Sequence, residues 1–431
     1  MTQERALVMG LPGKRTVEEA SEWVKRLYVT ERELMRTLGG YHVHIANWEL
    51  KKRLPRHIWQ DSLRANALRS RVLEMRYPRR DVDTGHDPLL SAFLSSLIRC
   101  GNDAELIAGV YYVAKEALIE AYEAYLRDAD PLDDAPTIEF MKRYPADLRE
   151  QLAEMTPLYE RLASGVDREA LAAWRGSVAA YLRGIGGLLG GKEQAGAVPA
   201  AIATRPAYVP PLVPRRDPSF VPAAYHMPPK APERFIERQV WQGINHVNEI
   251  WAAEIPLLTM WQWDNMPWEF YLDSARWGFD ESRHCMMGEE RLKAWGFEAG
   301  VDYPVVADHY ISMSGHGELY VLALLHAFET NGPSWKSGLK ADFEAAGDTA
   351  SSQDFDYDWA DESIHLAYGH KWLLHRLNGD IDELEDLKLE TRRLWLEWIG
   401  KKHQEWDYEP FLERIQAKIA ALESGREAGE P

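Results

Sequence analysis

The sequence predicts an all-α protein, and three observations support this fold class. Apolar residues recur at spacings of three and four along successive segments, as they do in amphipathic helices. Segments that alternate apolar and polar residues between turn signals, as strands do, are nearly absent. Prolines and glycines crowd one central stretch and leave the helical patterns on either side largely uninterrupted.

The helical segments fall into two groups, separated by the central stretch. Before it, helices are predicted over 17–38, 56–75, 104–126 and 145–162. After it, they are predicted over 232–260, 267–295, 307–330, 355–377, 381–398 and 408–422. No helix is expected between them, because proline lacks the N–H group and clashes with a preceding helical turn. We therefore predict a helical N-terminal domain (1–183), a Pro/Gly-rich linker or arm (184–232) and a C-terminal domain (233–431).

Composition excludes several classes of protein. The 431 residues carry a formal net charge of -18, which argues against binding to nucleic-acid phosphates or anionic membranes. Two cysteines, Cys100 and Cys285, cannot form a disulfide framework or a Cys-rich metal module. We identify no signal peptide and no apolar run of membrane-spanning length. A cytoplasmic location is therefore expected.

Two copies of the motif Glu-x-x-His stand out, each in a predicted helix. The first is Glu281 with His284, and the second is Glu362 with His365. Residues three apart lie on one helical face, so a carboxylate oxygen and an imidazole nitrogen can reach the same ion. Two such helices, with one glutamate from each of two more, form the di-iron or di-manganese carboxylate site of four-helix bundles.

Two further glutamates stand where such a site needs them. Glu249 precedes Glu281, and Glu329 precedes Glu362, by nearly equal intervals, and both have apolar neighbours. A bare carboxylate is not buried among such neighbours without a partner or a metal. We therefore predict a dinuclear site with its metals on the order of 3.5–4 Å apart. Its predicted ligands are Glu249, Glu281, His284, Glu329, Glu362 and His365.

Glu329 is the predicted functional ligand for O₂ chemistry. Its helix should end at Asn331-Gly332-Pro333, and a carboxylate at a helix end shifts more readily than one in the middle. Glu254 is the alternative to Glu249 and, like Asp280 and Asp361, a candidate neighbour of the ligands. The two aspartates directly precede ligand glutamates, so they either accept hydrogen bonds from ligand imidazoles or are surface charges.

The stretches around these ligands resemble DUF455, a family of ferritin-like proteins of unknown function. The resemblance rests on 246–254, 280–284, 290–292, 328–332, 347–348 and 361–365, together with Gly369 and Trp372. It extends over about 235–377, and the family is related at fold level to tRNA-hydroxylating di-iron enzymes. The resemblance implies a ferritin-like four-helix bundle in the C-terminal half and implies that the six predicted ligands bind metal. It supplies no substrate.

The N-terminal half contains a faint repeat of the C-terminal half. Its segment 61–64 matches 273–276, and 105–106 matches 318–319 at nearly the same offset. In this alignment Glu281 and His284 fall on Arg69 and Val72, and Glu362 and His365 fall on Arg149 and Leu152. Only Glu329 keeps a carboxylate, at Glu116. The N-terminal domain is thus predicted to be helical and metal-free, and to be a degenerate copy of the bundle if the repeat is genuine.

One basic cluster interrupts the acidic sequence. It covers 51–57 and continues with Arg64, Arg69 and Arg71. We interpret it as a solvated helix face paired with acidic neighbours. The alternative is a contact surface for an anionic substrate or RNA.

The leading functional hypothesis is a non-haem di-iron oxidase or oxygenase that activates O₂ to oxidise a small molecule. Carboxylate and imidazole ligands suit iron, and manganese equally, so two Fe ions are expected with Mn as the alternative. Hydroxylation, desaturation, N-oxygenation and oxidative cleavage all stay open, as do an electron donor and a homo-oligomer. The alternative functions are a non-enzymatic metal-binding, storage or interaction protein and a manganese enzyme that disproportionates peroxide.

Overall fold

The computed structural model describes residues 14–84, 87–190, 197–228 and 232–427. Within these ranges the regular structure is helical and no β-strand occurs, which confirms the predicted all-α class. No helix in the described part of the chain is both long and apolar enough to cross a membrane.

The helices follow one another along both halves of the chain, with short connections between most of them. In the first half they are α1 (Val17–His42), α2 (Trp48–Glu74), α3 (Pro88–Ser96), α4 (Asp103–Gly109), α5 (Glu116–Asp128), α6 (Ala135–Met141), α7 (Tyr144–Ser164), α8 (Arg168–Gly184) and α9 (Ala200–Ala203). In the second half they are α10 (Phe235–Asn248), α11 (Ile250–Gln262), α12 (Trp268–Ala294), α13 (Asp308–Ser314), α14 (Glu318–Glu329), α15 (Gly332–Ala345), α16 (Thr349–Arg376), α17 (Ile381–Glu405) and α18 (Glu409–Glu427). A π-helical turn, Val110–Lys115, joins α4 to α5.

The chain divides into two compact units. The first contains the described residues up to Leu34 and those from Leu63 to Pro206. The second contains Met35–Ser62 and the described residues from Ala207 onward. Helices α1 and α2 each contribute to both units. The predicted domains 1–183, 184–232 and 233–431 stay a prediction, because compactness alone does not show which segments fold independently.

The first unit is helical and is organised around α4, α5, α7 and α8. Helix α4 packs on α7 and α8, and α5 packs on α7. A buried ion pair lies within it, where Arg64 Nε donates to Glu31 Oε1 at 2.6 Å and the Tyr122 hydroxyl donates to the same oxygen at 2.8 Å. The predicted helices of this half are present, although the π-helical turn interrupts the one predicted over 104–126.

The second unit contains a closed ring of packed helices. Helix α11 packs on α12, α12 on α16, α16 on α14, and α14 on α11. Helix α10 packs along α12 at very close range, since a methyl group at Gly288 would lie 2.6 Å from the Gly243 carbonyl oxygen. An apolar cluster that includes Trp241 and Phe411 fixes the packing beside α10. Each of the four helices in this ring can direct ligand side chains into its interior.

Pro55 lies inside α2, one residue before the start at Arg56 that periodicity predicted. Pro55 has no N–H group, so the carbonyl of Lys51 receives no helical hydrogen bond. His42 Nε2 donates to that carbonyl oxygen at 2.8 Å. Burial lowers the pKa of His42 to about 3, so its neutral ring can fill this structural role. The helix therefore begins at Trp48, before the predicted start.

Two long helices predicted from periodicity are each interrupted once. The segment predicted over 232–260 is split at Glu249, which forms a turn between α10 and α11. The segment predicted over 307–330 is split at Gly315–Gly317, where Gly317 has φ 96°, a conformation that favours glycine. The connection between Glu329 and α16 is itself folded. It contains α15, which packs on α16.

The basic cluster at 51–57 was interpreted as a solvated face, and for its lysines this was wrong. Lys51 is fully buried and forms an ion pair with the fully buried Glu254. Lys52 is also buried and pairs with Glu289. Arg53 alone among these three is exposed. Helical periodicity places charges on a face, but it does not reveal that acidic groups from another helix lie against that face.

Candidate metal centre

The structure brings all six predicted ligands into one buried region of the second unit. They form two overlapping donor sets with one further residue, Asp358, and in each set the candidate ligand atoms lie within 4.8 Å of one another. Helices α12 and α16 supply the two Glu-x-x-His motifs, Glu249 comes from the turn between α10 and α11, and Glu329 ends α14. The sets are Glu249, His284, Asp358 and Glu362, and Glu281, Glu329, Glu362 and His365.

The first donor set surrounds His284 Nδ1. Glu249 Oε2 lies 3.3 Å and Asp358 Oδ1 lies 3.7 Å from that nitrogen. These three atoms are buried, and none forms a hydrogen bond within the described residues. The other two oxygens are occupied, because Lys336 Nζ donates to Glu249 Oε1 at 2.7 Å and to Asp358 Oδ2 at 2.5 Å. Each carboxylate thus keeps one unpartnered oxygen beside the imidazole.

The second donor set surrounds His365 Nδ1. Glu281 Oε1 lies 3.2 Å and Glu329 Oε1 lies 3.9 Å from that nitrogen, which forms no hydrogen bond in the described part of the chain. Glu362 belongs to this set and to the first. The indole of Trp277 donates to Glu281 Oε1 at 3.0 Å, and its ring stacks on His365 with centroids 5.4 Å apart. Trp277 therefore restricts the orientation of both ligands.

The electrostatics of the region reflect crowded carboxylates. Burial alone would lower the pKa of His365, but the nearby carboxylates of Asp280, Glu281 and Glu362 raise it to about 9. The pKa of His284 is also raised, against its burial, by carboxylates around it. Burial, reinforced by the charge of Glu281, raises the pKa of Glu362 to about 8. An arrangement that raises the pKa of both imidazoles has an excess of negative charge, which bound cations would balance.

Each of the two aspartates that precede the ligand glutamates lies next to the histidine of the other Glu-x-x-His motif. Asp361 on α16 approaches His284 on α12, with Oδ2 3.3 Å from Nε2. Asp280 on α12 approaches His365 on α16, with Oδ2 3.5 Å from Nε2. Arg276 links the two carboxylates, 2.6 Å from Asp280 and 3.3 Å from Asp361. Each aspartate lies at the nitrogen away from the donor set, where an acceptor orients a ligating imidazole.

Sequence reasoning missed three residues of this region: Asp358, Lys336 and His246. Asp358 lies one helical turn before Glu362, so Asp-x-x-x-Glu-x-x-His was a readable signal. The spacing of His246 in the sequence indicates no partner, yet its Nε2 lies 2.5 Å from Asp358 Oδ2. Burial lowers the pKa of His246 to about 4, so the neutral ring donates from Nε2 and accepts from Arg291 at Nδ1. Lys336 has no spacing signal at all.

Glu254, the alternative to Glu249, lies elsewhere. Arg216 donates to its two oxygens at 2.7 Å and 3.0 Å, and Lys51 donates to Oε1. Burial alone would raise its pKa, but these cations lower it below the ordinary value. The structure does not bring Glu254 into either donor set, and its two cations fully account for its burial.

A cavity of about 330 Å³ adjoins the donor sets and is lined by four of their carboxylates. Aromatic and polar side chains complete its wall. A third group of potential ligands consists of His226, Asp308 and His309, and its two histidines line the same cavity. Hydrogen bonds between Asp308 and the two imidazoles, of 2.6 Å and 2.8 Å, account for this group without an ion. The carboxylates that line the cavity are those of Glu249, Glu281, Glu329 and Glu362.

These observations define the class of protein. It is an all-helical protein with a buried cluster of carboxylates and imidazoles. A family model described as "Protein of unknown function (DUF455)" matches residues 195–412, just over half of the chain. The chain belongs to this family, and the matched range contains every residue of both donor sets. No curated protein and no solved structure matches the chain significantly.

Proposed function

We propose that the second unit is a ferritin-like bundle with a dinuclear metal centre and that the protein is a non-haem di-iron, or di-manganese, oxidase or oxygenase. One observation carries the proposal: two donor sets share Glu362, and four of their inner atoms have no hydrogen-bond partner within the described residues. These atoms are Glu249 Oε2, His284 Nδ1, Asp358 Oδ1 and His365 Nδ1. A buried polar atom without a partner is costly, so several that converge on one space favour a ligand there. A carboxylate common to both sets suits a bridge between two ions.

The donor types fit this assignment. Carboxylate oxygens and imidazole nitrogens suit Fe and Mn, and no cysteine lies in either set. The closed ring of α11, α12, α14 and α16 supports the ferritin-like comparison, since a four-helix di-metal site takes ligands from all its helices. Glu249 departs slightly from that plan, because it lies in the turn that precedes α11.

The surrounding residues have roles that fit oxidation chemistry. Two iron or manganese ions, when bound, would supply the electrons and Lewis acidity for reduction of O₂ and oxidation of a substrate. Asp280 and Asp361 would orient the ligand imidazoles, and Lys336 would hold Glu249 and Asp358 by their outer oxygens. Trp277 and the apolar wall of the cavity would exclude water from the reacting atoms.

The first test compares the wild type with Glu329→Ala. Glu329 ends α14, where a carboxylate can shift more readily than one in the middle of a helix. Protein loaded anaerobically with Fe²⁺ is mixed with O₂ in a stopped-flow spectrometer, and the absorbance change is followed. The wild type is expected to react, and Glu329→Ala to lose that reaction while keeping its helical circular dichroism. Glu318→Ala, at the other end of the same helix, is the control and should react like the wild type.

Three outcomes would contradict the proposal. Failure of the wild type to retain a transition metal would remove the dinuclear centre. Identical transients in the wild type and Glu329→Ala would show that Glu329 is not a functional ligand. Metal binding without any reaction with O₂, even with a reductant present, would favour the non-enzymatic metal-binding alternative.

A further inference from the structure

We propose that the cavity beside the donor sets binds a planar small molecule that carries an anionic group and, on a different atom, an N–H or O–H group. The inference rests on the proposed function, for which it names the class of substrate. Three features of the wall support it: a cluster of aromatic rings, a positioned imidazole nitrogen and an arginine that has no acidic partner among the described residues.

The aromatic rings form one packed group. His309 lies between Trp251 and Trp395, with ring centroids 4.4 Å and 5.3 Å away and interplanar angles of 7° and 23°. Phe328 packs edge-on against His309 and Trp395, at 5.0 Å and 4.8 Å. All four rings line the cavity, and Trp335, which is 44% exposed, lines it as well. A wall of packed rings favours a planar, largely apolar ligand.

The imidazole of His309 is fixed so that one nitrogen remains for a ligand. Asp308 Oδ1 accepts from the backbone N–H of His309 at 2.9 Å and from its Nδ1 at 2.8 Å. Asp308 Oδ2 is held by His226 Nδ1 at 2.6 Å, while His226 Nε2 donates to Asn245 Oδ1 at 3.2 Å. His226 therefore donates from both nitrogens and carries the positive charge of the group.

His309 is then the neutral member of the group. Burial lowers its pKa despite the neighbouring carboxylate. With its proton on Nδ1, Nε2 has a lone pair, and no hydrogen bond occupies this atom within the described residues. The Nε2 atom is not fully enclosed by protein, so it is accessible at the cavity that His309 lines. A hydrogen-bond acceptor in this position calls for an N–H or O–H group on the ligand.

Arg392 supplies the contact for an anion. It lines the cavity, and no ion pair to it exists in the described part of the chain. Its helix explains why, since the positions three and four residues away are Lys388, Leu389, Trp395 and Leu396. The adjacent Arg393, in contrast, pairs with Glu390 at 2.7 Å and Glu397 at 2.5 Å. In a protein of net charge -18, an arginine left unpaired at a cavity is a site for an anionic group.

The test uses three ring compounds that differ by one group each: 4-hydroxybenzoate, benzoate and phenol. Their affinities for protein loaded with redox-inert Zn²⁺ are measured by isothermal titration calorimetry. The expected order places 4-hydroxybenzoate first, because it alone offers both the anion and the O–H group. Benzoate should bind about three- to tenfold more weakly, the effect of one lost hydrogen bond, and phenol roughly two- to fivefold more weakly, the effect of one solvent-exposed ion pair.

Variants assign each preference to its residue. Arg392→Ala should bring 4-hydroxybenzoate down to the affinity of phenol without weakening phenol, whereas the control Arg393→Ala should leave all three affinities unchanged. His309→Phe keeps an aromatic ring between Trp251 and Trp395 but has no acceptor atom, so it should remove the difference between 4-hydroxybenzoate and benzoate. A preference that survives both Arg392→Ala and His309→Phe would show that the probes bind the metal or another surface, and would overturn the inference.

The result also separates the two proposals. The zinc content of the same samples is measured by elemental analysis. Two zinc ions per chain together with no preference among the probes would overturn the assignment of the cavity and leave the metal centre intact. Absence of zinc would overturn the metal centre, and the order of probe affinities would still decide the assignment of the cavity.

Discussion

Gly332 lies directly beside Glu362, the ligand common to both donor sets. A methyl group on its Cα would lie 2.6 Å from Glu362 Oε2 and 3.5 Å from Glu329 Oε2. The first distance is too short for any real contact, so an alanine there would displace the Glu362 carboxylate. Gly338 lies on the same helix, and a methyl group there would meet nothing within 4 Å.

We predict that Gly332→Ala weakens metal binding by about 10- to 100-fold, the range found for substitutions next to metal ligands. The metal-free variant should be as stable as the wild type, because alanine suits a helix better than glycine. Competition with a chromophoric chelator measures the affinity, and thermal unfolding of the metal-free protein measures the stability. Gly338→Ala is the matched control. Equal affinities in the two variants would mean that Glu362 does not need its present position to bind metal.

At the scale of secondary-structure elements, one buried ion-pair group joins α2, α11 and the chain segment before α10. Glu254 on α11 accepts from Lys51 on α2 and from Arg216. All three side chains lie largely out of solvent, the least buried being Arg216 at 13% exposed. Replacement of the carboxylate by a neutral side chain would leave the charges of Lys51 and Arg216 buried without that counter-charge, which costs more than the pair itself contributes.

We predict that Glu254→Gln lowers the free energy of unfolding at pH 7 by about 3–5 kcal/mol. Because the folded pKa of Glu254 is below its ordinary value, this stabilisation is complete above the unfolded pKa of roughly 4.3 and is lost as the pH falls through the folded pKa. The difference between wild type and variant should therefore narrow under acid conditions. Urea unfolding at pH 7 and near pH 4 tests both statements.

The control for this prediction is Glu49→Gln. Glu49 forms ion pairs with Lys52 and Arg53 at 2.9 Å, but its side chain is 33% exposed. Water and salt screen such pairs, so the loss should stay below about 1 kcal/mol. A loss for Glu254→Gln as small as this would show that the buried group relaxes or admits water.

The sequence predicted the elements better than their interruptions and contacts. Apolar periodicity located α1, α12 and α16, because a stripe of apolar residues records the buried face of a helix. It missed the turn at Glu249, because one non-helical residue leaves the spacing of the apolar residues almost unchanged. It also missed Asp358 and Lys336, because their roles come from residues on other helices. Pairing across helices depends on tertiary structure, which the spacing of one helix does not encode.

At the scale of the whole molecule, the candidate metal groups of the described residues all lie in the second unit. In the first unit Arg69 pairs with Asp83, and Arg149 pairs with Glu123. Glu116, the one carboxylate kept in the proposed repeat, is exposed. The metal-free character of the N-terminal half and its origin as a copy stay predictions, but these partners give its arginines roles of another kind.

We predict two metal ions per chain, and none after the double substitution Glu281→Ala with Glu362→Ala. Both residues lie in the donor sets, and Glu362 belongs to each of them. The Glu116→Ala variant should keep both ions. The residues that align with the two Glu-x-x-His motifs cannot bind metal, because they are cationic or apolar: Arg69, Val72, Arg149 and Leu152. Elemental analysis of the purified variants gives the count. One ion retained by the double variant would show that Glu249, His284 and Asp358 suffice to bind it, and two would place a metal site outside these donor sets.

Each aspartate on α12 and α16 lies beside the histidine of the other helix, and this has a consequence for how the two motifs evolve. Because Asp280 supports His365 and Asp361 supports His284, either helix alone contains a ligand without the acceptor that orients it. A duplicate of one helix would therefore contain a ligand histidine but would need the aspartate of the other helix to orient it. Degeneration of one motif would remove support from the other, so descendants should keep both motifs or lose both together.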